Sequence, residues 1–130
     1  HGMSFTIAPN PFLNLVDLAR RTSRVRLGTG TVIAPFWHLI RLAGTAAMTD
    51  IITGGRPELG VARGAYSFEY ERLSPGLDAW GAGARIRELI PAVERLWEGD
   101  CAHEGEVWRF PRTTSSPKPL QRPHPPIWVA

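Results

Sequence analysis

Residues 54–64 read GGRPELGVARG, and this stretch is the strongest indication of an α/β fold in the chain. Two glycines of the kind that end a helix lead into an apolar run at residues 58–62, which predicts a buried strand. Arg63 and Gly64 follow the run, so a cation lies at the strand's carboxyl end and a glycine beside it lets a ligand come close. Because ligands bind at the carboxyl ends of parallel strands in α/β proteins, the stretch indicates a binding site.

The composition is that of one globular domain. Of the 130 residues, 43% are apolar and 21% are charged, and the net charge is +3. The arginines are dispersed among acids instead of forming a basic stripe with aromatic residues, so no nucleic-acid partner is expected.

Cys101 is the one cysteine, which excludes an internal disulfide, and no metal-ligand cluster includes it. His103 and His124 lie in polar or proline-rich segments and are expected to be solvated. No membrane span or signal peptide is visible, so the expected location is the cytoplasm.

Three helices are predicted. The first begins at Asn10, which can cap it, and Pro11, which is tolerated at the first helical position. Apolar residues recur at helical spacing after Pro11 and again over residues 38–52 and 84–97. Pro91 lies inside the last helix, where we expect a kink or a restart.

Three strands are predicted at residues 25–33, 58–62 and 127–130, the first becoming irregular at its glycines. Residues 63–83 predict a long loop, and residues 103–110 predict a small hairpin. Strands that alternate with helices predict parallel pairing through right-handed crossovers. Since three such strands lack the neighbours that a closed sheet needs, we expect a piece of a larger fold or an oligomer that completes the sheet.

A set of short motifs runs along nearly the whole chain. They are PNP at 9–11, RVRLGTG at 24–30, HLIR at 38–41, MTD at 48–50, LGVARG at 59–64, RLWEG at 95–99, HEG at 103–105 and PHPPIWVA at 123–130. In this order and spacing, the motifs resemble the middle of the bacterial luciferase-like monooxygenases, which are flavin-dependent enzymes. The resemblance implies an α/β fold: a partial TIM (β/α)8 barrel, about strands 3 to 5 with their helices, with residues 1–130 as the central segment of one domain.

The resemblance also implies an activity. Reduced FMN and dioxygen would oxidise a small organic substrate, with a separate flavin reductase as a possible partner and a homo-oligomer as the expected assembly. Two alternatives stay open. One is an oxidoreductase of the same family that uses the deazaflavin F420, and the other is a non-catalytic truncated barrel that oligomerises through exposed strand edges.

The resemblance implies four cofactor-binding residues. Gly30 and Thr31 match a bulge at the end of the third barrel strand, where the family often has a non-prolyl cis peptide against the flavin. Ala62 matches a small residue beneath the flavin ring. Arg63 matches a residue near the FMN phosphate, an anion that a planar guanidinium suits.

Two further positions are implied by the same resemblance. Tyr66 matches a residue on the substrate side of the pocket, and His1 matches the second histidine of the family's Glu-His-His sequence, a catalytic position. The residues alone allow a simpler reading of Arg63, which could form an ion pair with Glu58 or Glu69.

Overall fold

The structure is a computed structural model that describes residues 8–130. His1, predicted to be catalytic, lies outside the described residues. Within them the helices are α1 (Pro11–Arg21), α2 (Leu39–Ile52), α3 (Ser67–Leu73) and α4 (Ala79–Glu98), with a 3-10 turn at Ala34–Phe36. The strands are β1 (Leu27–Gly28), β2 (Val32–Ile33), β3 (Pro57–Ala62), β4 (Cys101–Glu104), β5 (Arg109–Thr113) and β6 (Ile127–Val129).

The central sheet is parallel throughout, as predicted. β3 pairs with β1 and β2 along one edge and with β6 along the other. Leu59 and Val61 are buried in the same core as the helices α2 and α4, whereas Glu58 and Ala62, on the alternate face of β3, are partly exposed. The sheet thus has one face covered by helices and one face with more access to solvent.

Capping residues set the starts of α1 and α2. Asn10 caps α1, its Oδ1 accepting a hydrogen bond from the backbone N–H of Phe12 at 3.1 Å, and Pro11 takes the first helical position. His38 caps α2 in the same way, its Nδ1 accepting from the N–H of Ile40 at 3.3 Å. The last helix is continuous across Pro91, so it does not restart there.

The prediction of a loop over residues 63–83 is wrong in part. α3 lies inside that range, and α4 begins at Ala79 rather than at residue 84. The start of α4 is set by Asp78, whose Oδ1 accepts from the N–H of Gly81 at 2.7 Å, and by Ala82, which is completely buried. A cap and tertiary burial therefore outweigh the low helix propensity of the glycines in this segment.

Asp50 fixes the segment that leads into β6. Its side chain is completely buried and accepts hydrogen bonds from the backbone N–H groups of Leu120 at 2.6 Å and Gln121 at 2.8 Å, and from Nε2 of Gln121 at 2.8 Å. These bonds tie the proline-rich approach to the end of α2, which places β6 beside β3.

The hairpin of β4 and β5 is confirmed as an antiparallel pair, but His103 within it is buried, not solvated. Its Nδ1 lies 2.6 Å from the guanidinium of Arg95 and its Nε2 lies 2.8 Å from Oε1 of Glu88. Since arginine can only donate, Nδ1 is the acceptor and Nε2–H donates to the carboxylate. Glu88 also accepts from the N–H groups of Val107 and Trp108, so it joins α4 to the hairpin.

Candidate functional site

The edge of the sheet beside β3 is broken by a bulge. Gly28 lies opposite Glu58 and Val32 lies opposite Val61, so four residue steps along the first two strands match three along β3. The extra residue falls within residues 29–31, where the sequence becomes irregular at its glycines. A bulge re-aims the residues that follow it and often borders an active site.

The hydroxyl of Thr29 fixes this bulge to the backbone of Gly60. Oγ1 donates to the carbonyl of Gly60 and accepts from its N–H, both at 2.8 Å, in a buried position. A Cβ on Gly60 would lie 2.0 Å from the carbonyl oxygen of Thr29, so this approach requires glycine. The peptide bond between Gly30 and Thr31 is cis, which confirms the conformation that the resemblance implied.

A cleft of about 450 Å³ opens at the carboxyl ends of β2 and β3. It brings together four of the residues singled out from the sequence: Thr31, Ala62, Arg63 and Tyr66. Small and apolar side chains supply much of the remaining lining, which consists of Ile33, Gly64, Ala65, Glu69, Tyr70, Ala79 and Ala130. Gly30 does not line this cleft but precedes Thr31 across the cis peptide.

Arg63 is exposed beside this cleft and does not pair with Glu58. Glu58 instead pairs with Arg26 across the sheet at 2.8 Å and accepts a hydrogen bond from Trp128 Nε1 at 2.7 Å. These contacts, that of Arg26 foremost, lower the pKa of Glu58. No ion pair to Arg63, from Glu69 or any other acid, occurs among residues 8–130. With respect to residues 8–130, the guanidinium is thus an available cation at the strand end.

The turn after β3 is held by a residue that sequence reasoning did not assign to the site. Tyr70, in α3, donates its hydroxyl proton to the carbonyl oxygens of Arg63 at 2.8 Å and Gly64 at 3.0 Å. Burial raises the pKa of Tyr70, so the hydroxyl keeps its proton at neutral pH. Gly64 has a φ of +93°, which few residues other than glycine adopt readily. From the sequence alone, Tyr70 and Phe68 are candidate anchors of this segment, but the sequence does not show which backbone groups the Tyr70 hydroxyl binds.

A second, neighbouring cavity shares part of its wall with the cleft. It has a volume of about 380 Å³ and is lined by Thr31 and Ile33, as the cleft is, and by the aromatic rings of Phe36 and Trp37. Tyr66, which lines the cleft, stacks on Phe68 with ring centroids 5.4 Å apart and is 46% exposed. Aromatic walls therefore flank the cleft in the manner of a small-molecule site.

The described part of the chain contains neither a candidate metal-ligand cluster nor a helix that could span a membrane. Among residues 8–130, no three His, Cys, Asp or Glu side chains are grouped so that they could hold a metal ion. Within the same residues, no helix is both long enough and apolar enough to cross a membrane.

The chain belongs to the luciferase-like monooxygenases. The model of that family matches residues 1–130, which confirms the resemblance carried by the motifs. Over its 130 residues the chain is 70% identical to the oxygenase component of a flavin-dependent trigonelline monooxygenase from Acinetobacter baylyi, and it covers 36% of that protein. It is also 35% identical over 94 residues, 71% of this chain and 26% of the relative, to an FMNH2-dependent dimethylsulfone monooxygenase from Pseudomonas putida.

A solved structure of a monooxygenase has a similar fold. The monooxygenase RslO1 from Streptomyces bottropensis superposes with a TM-score of 0.87 at 41% identity, covering 94% of this chain and 37% of the other. The chain thus spans little more than a third of the first relatives it matches, 36% and 37% of their lengths.

Proposed function

We propose that the chain is the central segment of a luciferase-like barrel, about strands 3 to 5, and that the complete enzyme is a flavin-dependent monooxygenase. In it, reduced FMN and dioxygen oxidise a small organic substrate. β1 and β2 form one interrupted strand of that barrel, followed by β3 and β6. The parallel pairing of these strands and the relatives named for flavin-dependent oxygenation support this proposal.

The observation that carries the proposal is the meeting of two strand ends at one cleft. Thr31 follows the bulge, Ala62 ends β3, and Arg63 stands next to it without an acidic partner among residues 8–130. An isoalloxazine ring needs a flat apolar floor, which Ala62 and Ile33 offer, and a phosphate needs a cation, which Arg63 offers. The residues present therefore fit FMN.

Each site residue has a separate task in this proposal. When bound, the flavin supplies the electrons and the activation of dioxygen. Ala62 leaves room for the ring, Thr31 meets it from the bulge, and Arg63 binds the phosphate and so fixes the position of the cofactor. Tyr66 lines the substrate side and helps to keep water out of the cleft. The catalytic role of His1 stays a prediction.

The relatives also guide the choice of substrate, cofactor and partner. Trigonelline is the first substrate to test, because the 70% identical relative is named for it. The relatives reported above are named for flavin or FMNH2, so FMN is proposed in preference to the deazaflavin. That relative is called an oxygenase component, which supports a separate flavin reductase as the partner here.

A homo-oligomer is proposed as the assembly. Its support is a groove of about 320 Å³ between α1 and α2, whose lining includes the side chains of Leu13, Met48 and Ile52. These three side chains are 66%, 47% and 54% exposed, an apolar surface of the kind that subunits cover in oligomers.

Replacement of Arg63 tests the flavin site. In the complete enzyme, Arg63→Ala is expected to weaken FMN binding about 10- to 100-fold, the effect of losing charge-assisted hydrogen bonds, while riboflavin binding changes less than about threefold. The two dissociation constants are measured by quenching of flavin fluorescence. Arg87→Ala is the matched control. Arg87 is exposed and lies over the ring of Trp80, outside the cleft, so its replacement removes the same charge without touching the proposed site.

An equal loss for both ligands would contradict the phosphate role of Arg63. Failure of the wild-type enzyme to bind FMN at all, together with a stable oligomer in light scattering, would favour the non-catalytic alternative.

A further inference from the structure

Tyr70 connects α3 to the backbone that presents Arg63. Its hydroxyl lies 2.8 Å from the carbonyl oxygen of Arg63 and 3.0 Å from that of Gly64, and it shares its proton between them. Both carbonyls belong to residues that have already left β3, so strand pairing does not hold them. The hydroxyl thus closes the turn from which the Arg63 side chain projects.

The ring that carries this hydroxyl is held firmly. Tyr70 is 6% exposed, and its ring makes an edge contact with Phe36, with centroids 5.7 Å apart. A Cβ on Gly64 would lie 3.3 Å from the hydroxyl and 3.1 Å from a methyl carbon of Ile33, so the turn is packed against both side chains. The anchor of the turn is therefore rigid.

Among residues 8–130, the side chain of Arg63 meets no comparable restraint. It is exposed and forms no ion pair within the described part of the chain. A long side chain of this kind loses rotamer freedom when it binds an anion, and each backbone restraint that directs it reduces that loss. The hydrogen bonds from Tyr70 are such restraints.

We propose that Tyr70 is a positioning residue for phosphate recognition by Arg63. The inference rests on the proposed function, because it takes the FMN phosphate as the anion that Arg63 binds. Tyr70 does not touch the cofactor in this account. It acts through the two carbonyls. Removal of its hydroxyl should therefore lower the affinity for FMN, which carries the phosphate, more than the affinity for riboflavin, which lacks it.

Tyr70→Phe tests this role, because it removes the hydroxyl and keeps the ring. In the complete enzyme we expect FMN affinity to fall about fivefold, the size of one ordinary hydrogen bond, and riboflavin affinity to change less than about twofold. Thr53→Val is the matched control. It removes a buried hydroxyl that donates to the carbonyl of Thr49 at 2.7 Å, in the last turn of α2, and should leave the ratio of the two affinities unchanged.

A double-mutant cycle separates this inference from the proposed function. In the Arg63→Ala background, Tyr70→Phe should not change the FMN to riboflavin ratio further. If Arg63→Ala weakens FMN selectively but Tyr70→Phe weakens both ligands equally or neither, the positioning role is overturned and the flavin site stands. If Arg63→Ala shows no selectivity, both are overturned.

Discussion

Thr29→Val should destabilise the protein strongly for a change that preserves side-chain shape. Valine keeps the β-branched outline of threonine but removes the oxygen that bonds to both the N–H and the carbonyl of Gly60 at 2.8 Å. The N–H and the carbonyl belong to a buried residue of the central strand, and Thr29 is only 6% exposed, so water cannot readily replace the hydroxyl. Leaving one buried backbone group unsatisfied costs about 1–3 kcal/mol, so the pair should cost about 2–6 kcal/mol.

The assay is urea unfolding of the complete enzyme, followed by tryptophan fluorescence, with the free energy of unfolding taken from the transition. Thr45→Val is the matched control. Its hydroxyl donates to the carbonyl of Arg41 on the surface of α2, where water can take over, so a change below about 0.5 kcal/mol is expected.

A loss of less than about 0.5 kcal/mol for Thr29→Val would refute the reasoning, because the bulge would then be held by other contacts. A loss as large for Thr45→Val would refute it as well, since the effect would then belong to threonine in general. If the bulge is held as described, Thr29→Val should also weaken FMN binding, because Thr31 is two residues away on the wall of the cleft.

Two further changes test other parts of the fold. Asp50→Ala removes a completely buried carboxylate and the acceptor of the part-buried N–H groups of Leu120 and Gln121, and it should cost about 3 kcal/mol in urea unfolding. Asp17→Ala, at an exposed ion pair, should cost less than about 0.5 kcal/mol. Burial opposes ionisation of Glu88, but its hydrogen bonds outweigh burial and lower its pKa below the ordinary 4.5. Its contribution to stability is therefore present above pH 4.5 and is lost as pH falls through the lowered pKa, so the stability gap between wild type and Glu88→Gln should narrow on acidification. A gap that stays constant with pH would contradict this role.

The sequence predicted the elements whose signals are local. The apolar run of β3 ends in Arg63 and Gly64, and its parallel pairing follows from alternation with helices. Asn10 and Pro11 predicted the start of α1 because helix capping depends on residues that are neighbours in the sequence. In each case the signal that predicts the element lies within a short stretch of the chain, even where the strand pairing itself joins distant residues.

Contacts between distant segments could not be predicted in this way. The bond from Thr29 to Gly60 joins residues 31 positions apart, and nothing near Thr29 distinguishes it from other threonines. His103 was expected to be solvated because its neighbours in the sequence are polar, but Arg95 and Glu88 of α4 cover it. Burial of a polar residue depends on the partner that tertiary structure supplies.

The alternative pairing of Arg63 with Glu58, which the residues alone allowed, does not form, and the reason is geometric. Five steps along an extended strand separate them by roughly 16 Å. Glu58 therefore meets Arg26 on the neighbouring segment instead, which leaves Arg63 at the other end of β3. The α3 helix was missed because its seven residues lie within a glycine-rich stretch and depend on burial of Tyr70.

A crystal structure of the complete enzyme with bound FMN would show whether Arg63 holds the cofactor's phosphate. The phosphate is expected within about 3.5 Å of the Arg63 guanidinium, which is hydrogen-bonding distance, with the ring over Ala62 and against Thr31. A flavin bound with its phosphate remote from Arg63, or in a cleft that β2 and β3 do not form, would contradict this expectation.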